Sequence, residues 1–81
     1  MGLKVLIADD DPATAAYLKK VIEEVPGVEV VSIAGYGEEA IRQVEVYRPD
    51  VVFLDIDMPG MSGLDATREM AEMRPELFSF S

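Results

Sequence analysis

An α/β fold, with a parallel sheet covered by helices on both faces, is what this sequence predicts, and three observations predict it. Apolar runs too short for helices stand at residues 3–8 and 51–54. Stretches with apolar residues at helical spacing separate the extended segments and are long enough for crossover connections. Acidic clusters then follow both apolar runs directly, Asp9, Asp10 and Asp11 after the first, Asp55 and Asp57 after the second. The order reads β-α-β-α-β-α, and right-handed crossovers turn that order into a parallel layer with helices on either side.

The first run, Leu3 to Ala8, is interrupted only by Lys4 and reads as a strand buried on both faces. Asp11 followed by Pro12 is a helix start, an acid that caps the first turn and a proline whose missing N–H is not needed there. Ala15, Leu18, Ile22 and Val25 form the apolar stripe of this helix, and Pro26-Gly27 ends it. Val28 to Ala34 is β-branched and partly alternating, as in an edge strand. Gly35-Tyr36-Gly37 turns the chain, and Glu38 and Glu39 suit the positive end of a second helix. Ala40, Ile41, Val44 and Tyr47 are its expected buried side, and Pro49 closes it. Val51 to Leu54 is a third strand. A loop through Met58-Pro59-Gly60-Met61 leads to Ser62 and Asp65, spaced as a capping box for a third helix from Leu64 to Met73. The closing residues, Leu77 to Ser81, alternate and read either as a short fourth strand or as a frayed end.

Eighty-one residues allow one domain, residues 1–81. Sixteen acidic against seven basic residues give a net charge of −9, which argues against nucleic acid and against anionic membrane surfaces. With no cysteine and no histidine, disulfides, thiolate metal sites and histidine-dependent triads are excluded, and any metal must be held by oxygen. No run approaches the roughly 20 apolar residues of a membrane span, and the N-terminus lacks a signal-peptide pattern. A cytoplasmic protein is expected. At this size one core supplies few kcal/mol, so oligomerisation is expected as well.

Ligands of open parallel sheets bind beyond the carboxyl ends of the strands. If the first and third strands are neighbours, their axes lie about 4.8 Å apart and the acids at their ends converge. Like charges that close raise one another's pKa or require a cation, and a hard divalent ion such as Mg²⁺ suits such a set. An aspartate beside that ion is an oxygen nucleophile able to accept a phosphoryl group. Asp10 and Asp55 carry this reading, because they come from separate strand ends. Asp11 reads more simply as a helix cap. Asp9 either supports the ligands from behind or faces solvent. The Asp57 side chain belongs to the loop, although its backbone is available. The methionines, Met58, Met61, Met70 and Met73, read as core and loop packing.

VLIADDDP, residues 5–12, and then PDVVFLDIDMPGMSGLD, residues 49–65, resemble the receiver domain of two-component response regulators. The resemblance runs from Leu3 to about Phe78. It implies a partial doubly wound, flavodoxin-like sheet with strand order 2-1-3 and a possible short fourth strand. It also implies that Asp55 is the phosphoacceptor, that Asp10 and Asp55 ligate Mg²⁺ with the backbone carbonyl of Asp57, and that Asp9 stands behind them. Pro59 and Gly60 match the loop that shapes the pocket. The implied partner is a sensor histidine kinase, whose phosphohistidine this histidine-free chain cannot replace. Any transfer is onto the domain itself, so it is not read as an enzyme.

Receiver domains continue into further βα units carrying a hydroxyl residue and a lysine that contact the phosphoryl group. The lysine has no counterpart here, and Ser79 and Ser81 lie too early for the hydroxyl. The chain is therefore expected to be a truncated receiver with impaired phosphorylation, its third strand at or near an open edge and a homodimer burying that edge. The alternative is a non-catalytic association module with a relic acidic pocket. A remote one is a haloacid-dehalogenase-type phosphatase fragment, since FLDID contains that family's D-x-D spacing, although Met58-Pro59 follows it.

Overall fold

A computed structural model describes residues 2–55, 63–72 and 75–80 of the chain. The elements are β1 (Leu3–Ala8), α1 (Pro12–Glu23), β2 (Val28–Ala34), α2 (Gly37–Tyr47), β3 (Val51–Asp55), α3 (Gly63–Glu72) and β4 (Glu76–Phe80). All three strand pairings are parallel and the sheet order is β2-β1-β3-β4.

Local chemistry sets the element ends. Asp11 caps α1, its carboxylate accepting from the Ala13 N–H at 3.2 Å and from the Thr14 hydroxyl at 2.6 Å. Gly27 makes the following turn at φ 83°, where a side chain would be strained. Arg48 ends α2 in the left-handed region (φ 50°), donating its N–H to the Val44 carbonyl at 2.9 Å, and Pro49 cannot continue the helix.

Alternation along the strands divides the core in two. Leu6, Ala8, Val52 and Leu54 face α2 and α3, where they pack with Ala40, Val44 and Met70. Val5 and Ile7 face the other way, with Ala15 of α1 and Val30 of β2. Leu6, Ile7 and Leu54 are fully enclosed, and burying each stabilises the fold by about 1.5–3 kcal/mol. One helix thus covers one face and two cover the other.

The β1–β2 register shifts between Val5 and Leu6, whose partners are Val30 and Ser32, so Val31 is passed over as a bulge in an outer strand. Glu23 accepts the Val30 N–H at 3.0 Å while paired with Lys19 at 2.8 Å. Ser32 donates to Gln43, tying β2 to α2.

Several sequence expectations change. The last segment is a strand, Glu76–Phe80, beginning one residue before the expected alternation and pairing with β3. β3 therefore lies inside the sheet, and the outer strands among the described residues are β2 and β4. Tyr47 is not on the buried side of α2: it is 44% exposed, because the inward stripe is carried by Ala40 and Val44 and the helix ends at Tyr47. Val25 is 54% exposed, since α1 ends at Glu23 and the stripe stops with it. α3 spans Gly63–Glu72, and the proposed cap at Ser62 lies outside the described residues.

Candidate functional site

The strands that end in acids are direct neighbours. Ala8 pairs with Leu54, so the next residues, Asp9 and Asp55, emerge at the same level of the sheet. One carboxylate oxygen each from Asp9, Asp10 and Asp55 lies within 4.8 Å of the others. The side chains grade from inside to outside: Asp9 is 4% exposed, Asp55 half-buried and Asp10 exposed.

Asp9 is held from both sides. Its N–H extends the sheet by donating to the Ala34 carbonyl at 2.9 Å, and its Oδ1 accepts from the Asp11 N–H at 2.9 Å. Burial pushes its pKa above the usual carboxylate range, the Asp11 N–H pulls it back, and the charges of Asp55, Asp10 and Asp11 push it up again. Asp11 behaves in the opposite way. The Thr14 hydroxyl and the Ala13 N–H hold its carboxyl below the ordinary value, as befits a helix cap.

Of the residues expected at the site, Asp9, Asp10 and Asp55 are brought together. Asp57, Pro59 and Gly60 lie outside the described residues. Asp9 does not face solvent, as one of its two readings had it. Its enclosure comes from its placement between β2 and β3, and no sequence periodicity marks it. Met70 is enclosed in the core, as expected of a packing methionine.

Three oxygen donors of like charge within 4.8 Å of one another form a set suited to a hard divalent ion. The chemistry of the donors therefore fits Mg²⁺, and a half-buried carboxylate such as that of Asp55 has the chemistry of an oxygen nucleophile.

A family model for the response regulator receiver domain matches residues 5–78. A protein-glutamate methylesterase/protein-glutamine glutaminase of Alkalilimnicola ehrlichii is 40% identical over 75 residues, 93% of this chain and 19% of that protein. The response regulator GacA of Pseudomonas syringae is 36% identical over 75 residues, 93% of this chain and 35% of that protein. The chain thus spans between about a fifth and a third of these relatives. The crystal structure of the response regulator domain of Thermotoga maritima CheB superposes with a TM-score of 0.85 at 30% identity, over 98% of this chain and 61% of that one. Shared strand order, convergent acids and a match across most of the sequence lead to one assignment in place of a phosphatase fragment: the chain belongs to the response regulator receiver domain family.

Proposed function

We propose that Asp55 is the phosphoacceptor of this receiver domain, with Asp9 and Asp10 holding Mg²⁺ beside it. The observation that carries the reading is the meeting of three carboxylates at the ends of the adjacent strands β1 and β3. Bound there, Mg²⁺ would neutralise charge on the phosphoryl oxygens and on the acids themselves. Asp55 contributes the attacking oxygen: a new P–O bond forms to its carboxylate while the P–N bond of a phosphohistidine breaks and the imidazole leaves. The chain contains no histidine, which is why the donor is placed on a partner, a sensor histidine kinase. Asp10, exposed, offers an oxygen at the mouth of the site, whereas Asp9, fixed by the Asp11 N–H, offers one from within. The Asp57 carbonyl belongs to the same proposal, as do Pro59 and Gly60 as the rim of the pocket.

The test is incubation with a small phosphodonor, acetyl phosphate, in the presence and absence of Mg²⁺, followed by intact-mass measurement. A gain of one phosphoryl group that needs Mg²⁺ and disappears in Asp55→Asn supports the reading. Modification that survives Asp55→Asn refutes it. Edge-to-edge pairing of two copies would use the outer strands among the described residues, β2 or β4, and sedimentation across a dilution series decides whether copies associate.

Among the described residues no helix is long and apolar enough to cross a membrane.

A further inference from the structure

The capped end of α1 and the acid site share one backbone group, the Asp11 N–H. It donates to Asp9 Oδ1 at 2.9 Å, while Asp11 itself starts the helix. The hydrogen of such a bond prefers to lie near the plane of the carboxylate, so the direction of this N–H sets how the Asp9 carboxylate is turned. Asp11 is in turn held at both of its side-chain oxygens. Oδ1 accepts the Ala13 N–H at 3.2 Å, and Oδ2 accepts the Thr14 hydroxyl at 2.6 Å, the short distance of a charge-assisted bond. Its carbonyl accepts the Ala15 N–H at 3.0 Å, the first bond of the helix. An N-cap needs only a backbone donor on one oxygen. The hydroxyl of Thr14 adds a second hold, and with both oxygens tied the Asp11 residue cannot swing away from the first turn.

We propose that Thr14 is a positioning residue for the metal site, acting through Asp11 to hold the Asp9 carboxylate in one orientation. The inference rests on the reading of Asp9, Asp10 and Asp55 as the Mg²⁺ site. From the other side Asp9 is anchored by the sheet, its N–H on the Ala34 carbonyl at 2.9 Å, so its carboxylate is braced between a strand and a helix. Mg²⁺ demands near-ideal octahedral geometry, and a donor that turns out of line costs affinity. Groups that orient a ligand are typically worth about tenfold or more in metal binding. Thr14 carries no charge, so its effect on a cation is one of geometry and not of attraction. That separates it from Asp11, whose removal would also take a negative charge from beside the acids.

The experiment is titration of the 81-residue protein with Mg²⁺, followed by NMR of the backbone amides, in the wild type, Thr14→Val and Thr14→Ser. Thr14→Val keeps the shape and removes the hydroxyl. It is expected to weaken Mg²⁺ binding roughly three- to tenfold, less than loss of a group that touches the ligand itself, since the Ala13 N–H still holds Asp11. In the metal-free protein its Asp11 amide is expected to shift and to exchange faster with solvent. Thr14→Ser, which keeps the hydroxyl, is expected to restore both. Glu23→Ala serves as the control for helix stability. It frees the far end of α1 from Lys19 and from the Val30 N–H, about 16 Å from the cap along a 12-residue helix. At about 0.15 M ionic strength its charge is screened over that distance, so it is expected to lower Tm and leave Mg²⁺ affinity unchanged. Unchanged affinity in Thr14→Val, a loss that leaves the Asp11 amide where it was, or an equal loss in Glu23→Ala would overturn the proposal and leave the metal site standing. A wild type whose Asp9, Asp10 and Asp55 amides do not respond to Mg²⁺ would overturn the site and this proposal together.

Discussion

Replacing Asp9 by Asn should make the metal-free protein more stable, although it removes a nearly buried polar group's charge at a candidate functional position. Two like-charge contacts, to Asp10 and to Asp55, are relieved at once. At 4.8 Å each is worth about 0.9 kcal/mol at the dielectric constant of water and about 3.5 kcal/mol at an effective value of 20. The exposure of Asp10 and half-exposure of Asp55 place the total toward the lower limit. The amide oxygen of Asn can still accept the Asp11 N–H, so the loss there is the difference between a charged and a neutral hydrogen bond, about 1 kcal/mol. A net gain of about 1–2 kcal/mol follows, and each kcal/mol raises Tm by about 4–8 °C in a domain of this size. Because the folded-state pKa of Asp9 is raised, its ionisation opposes folding. That penalty is absent below the unfolded carboxylate value, grows as pH rises through the folded one, and is complete above it. Thermal or urea unfolding in EDTA at low salt, from pH 3 to 8, measures the effect. The variant's advantage should vanish at the acid end and shrink in high salt, and Mg²⁺ should stabilise the wild type more than the variant. An Asp9→Asn protein less stable than wild type at pH 7 without metal would refute the argument.

Other expectations are simpler. Leu6→Ala, at a fully enclosed position, should cost about 2–5 kcal/mol, a large part of the roughly 4–12 kcal/mol typical of 81 residues, read as a lower urea midpoint. Asp10→Asn should weaken Mg²⁺ binding about tenfold or more in a titration followed by NMR, without unfolding the protein, because its side chain is exposed. Asp11→Ala should destabilise α1 and flatten the acid limb of a pH titration of helix content. The lowered pKa of Asp11 contributes stability above the unfolded value that is lost as pH falls through the folded one. Arg48→Gly should stabilise the protein by about 0.5 kcal/mol, since the relief of a left-handed side chain exceeds the added entropy of the unfolded glycine.

How far the sequence could be read depended on the range of the interactions involved. Asp11-Pro12 at the start of α1 and Pro49 after α2 act within a turn of their own backbone, and all of β1 and β2 could be bounded from composition and flanking turns. Tyr47 and Val25 were misplaced because a helical stripe shows which side is apolar and not where the covering surface stops. The final segment allowed two readings because alternation without a partner is no strand. Pairing with β3 supplied the missing hydrogen bonds.

For the site, the residue types were legible and their environment was not. The sequence by itself determined that acids end two apolar strands, that a metal must be held by oxygen, and that no phosphohistidine can come from this chain. Those are statements about composition and about neighbours along the backbone. Only the tertiary structure decided that Asp9 is enclosed while Asp10 is exposed, and that their carboxylates meet that of Asp55. Burial and the separation of charges depend on which segments, distant in sequence, come to lie side by side.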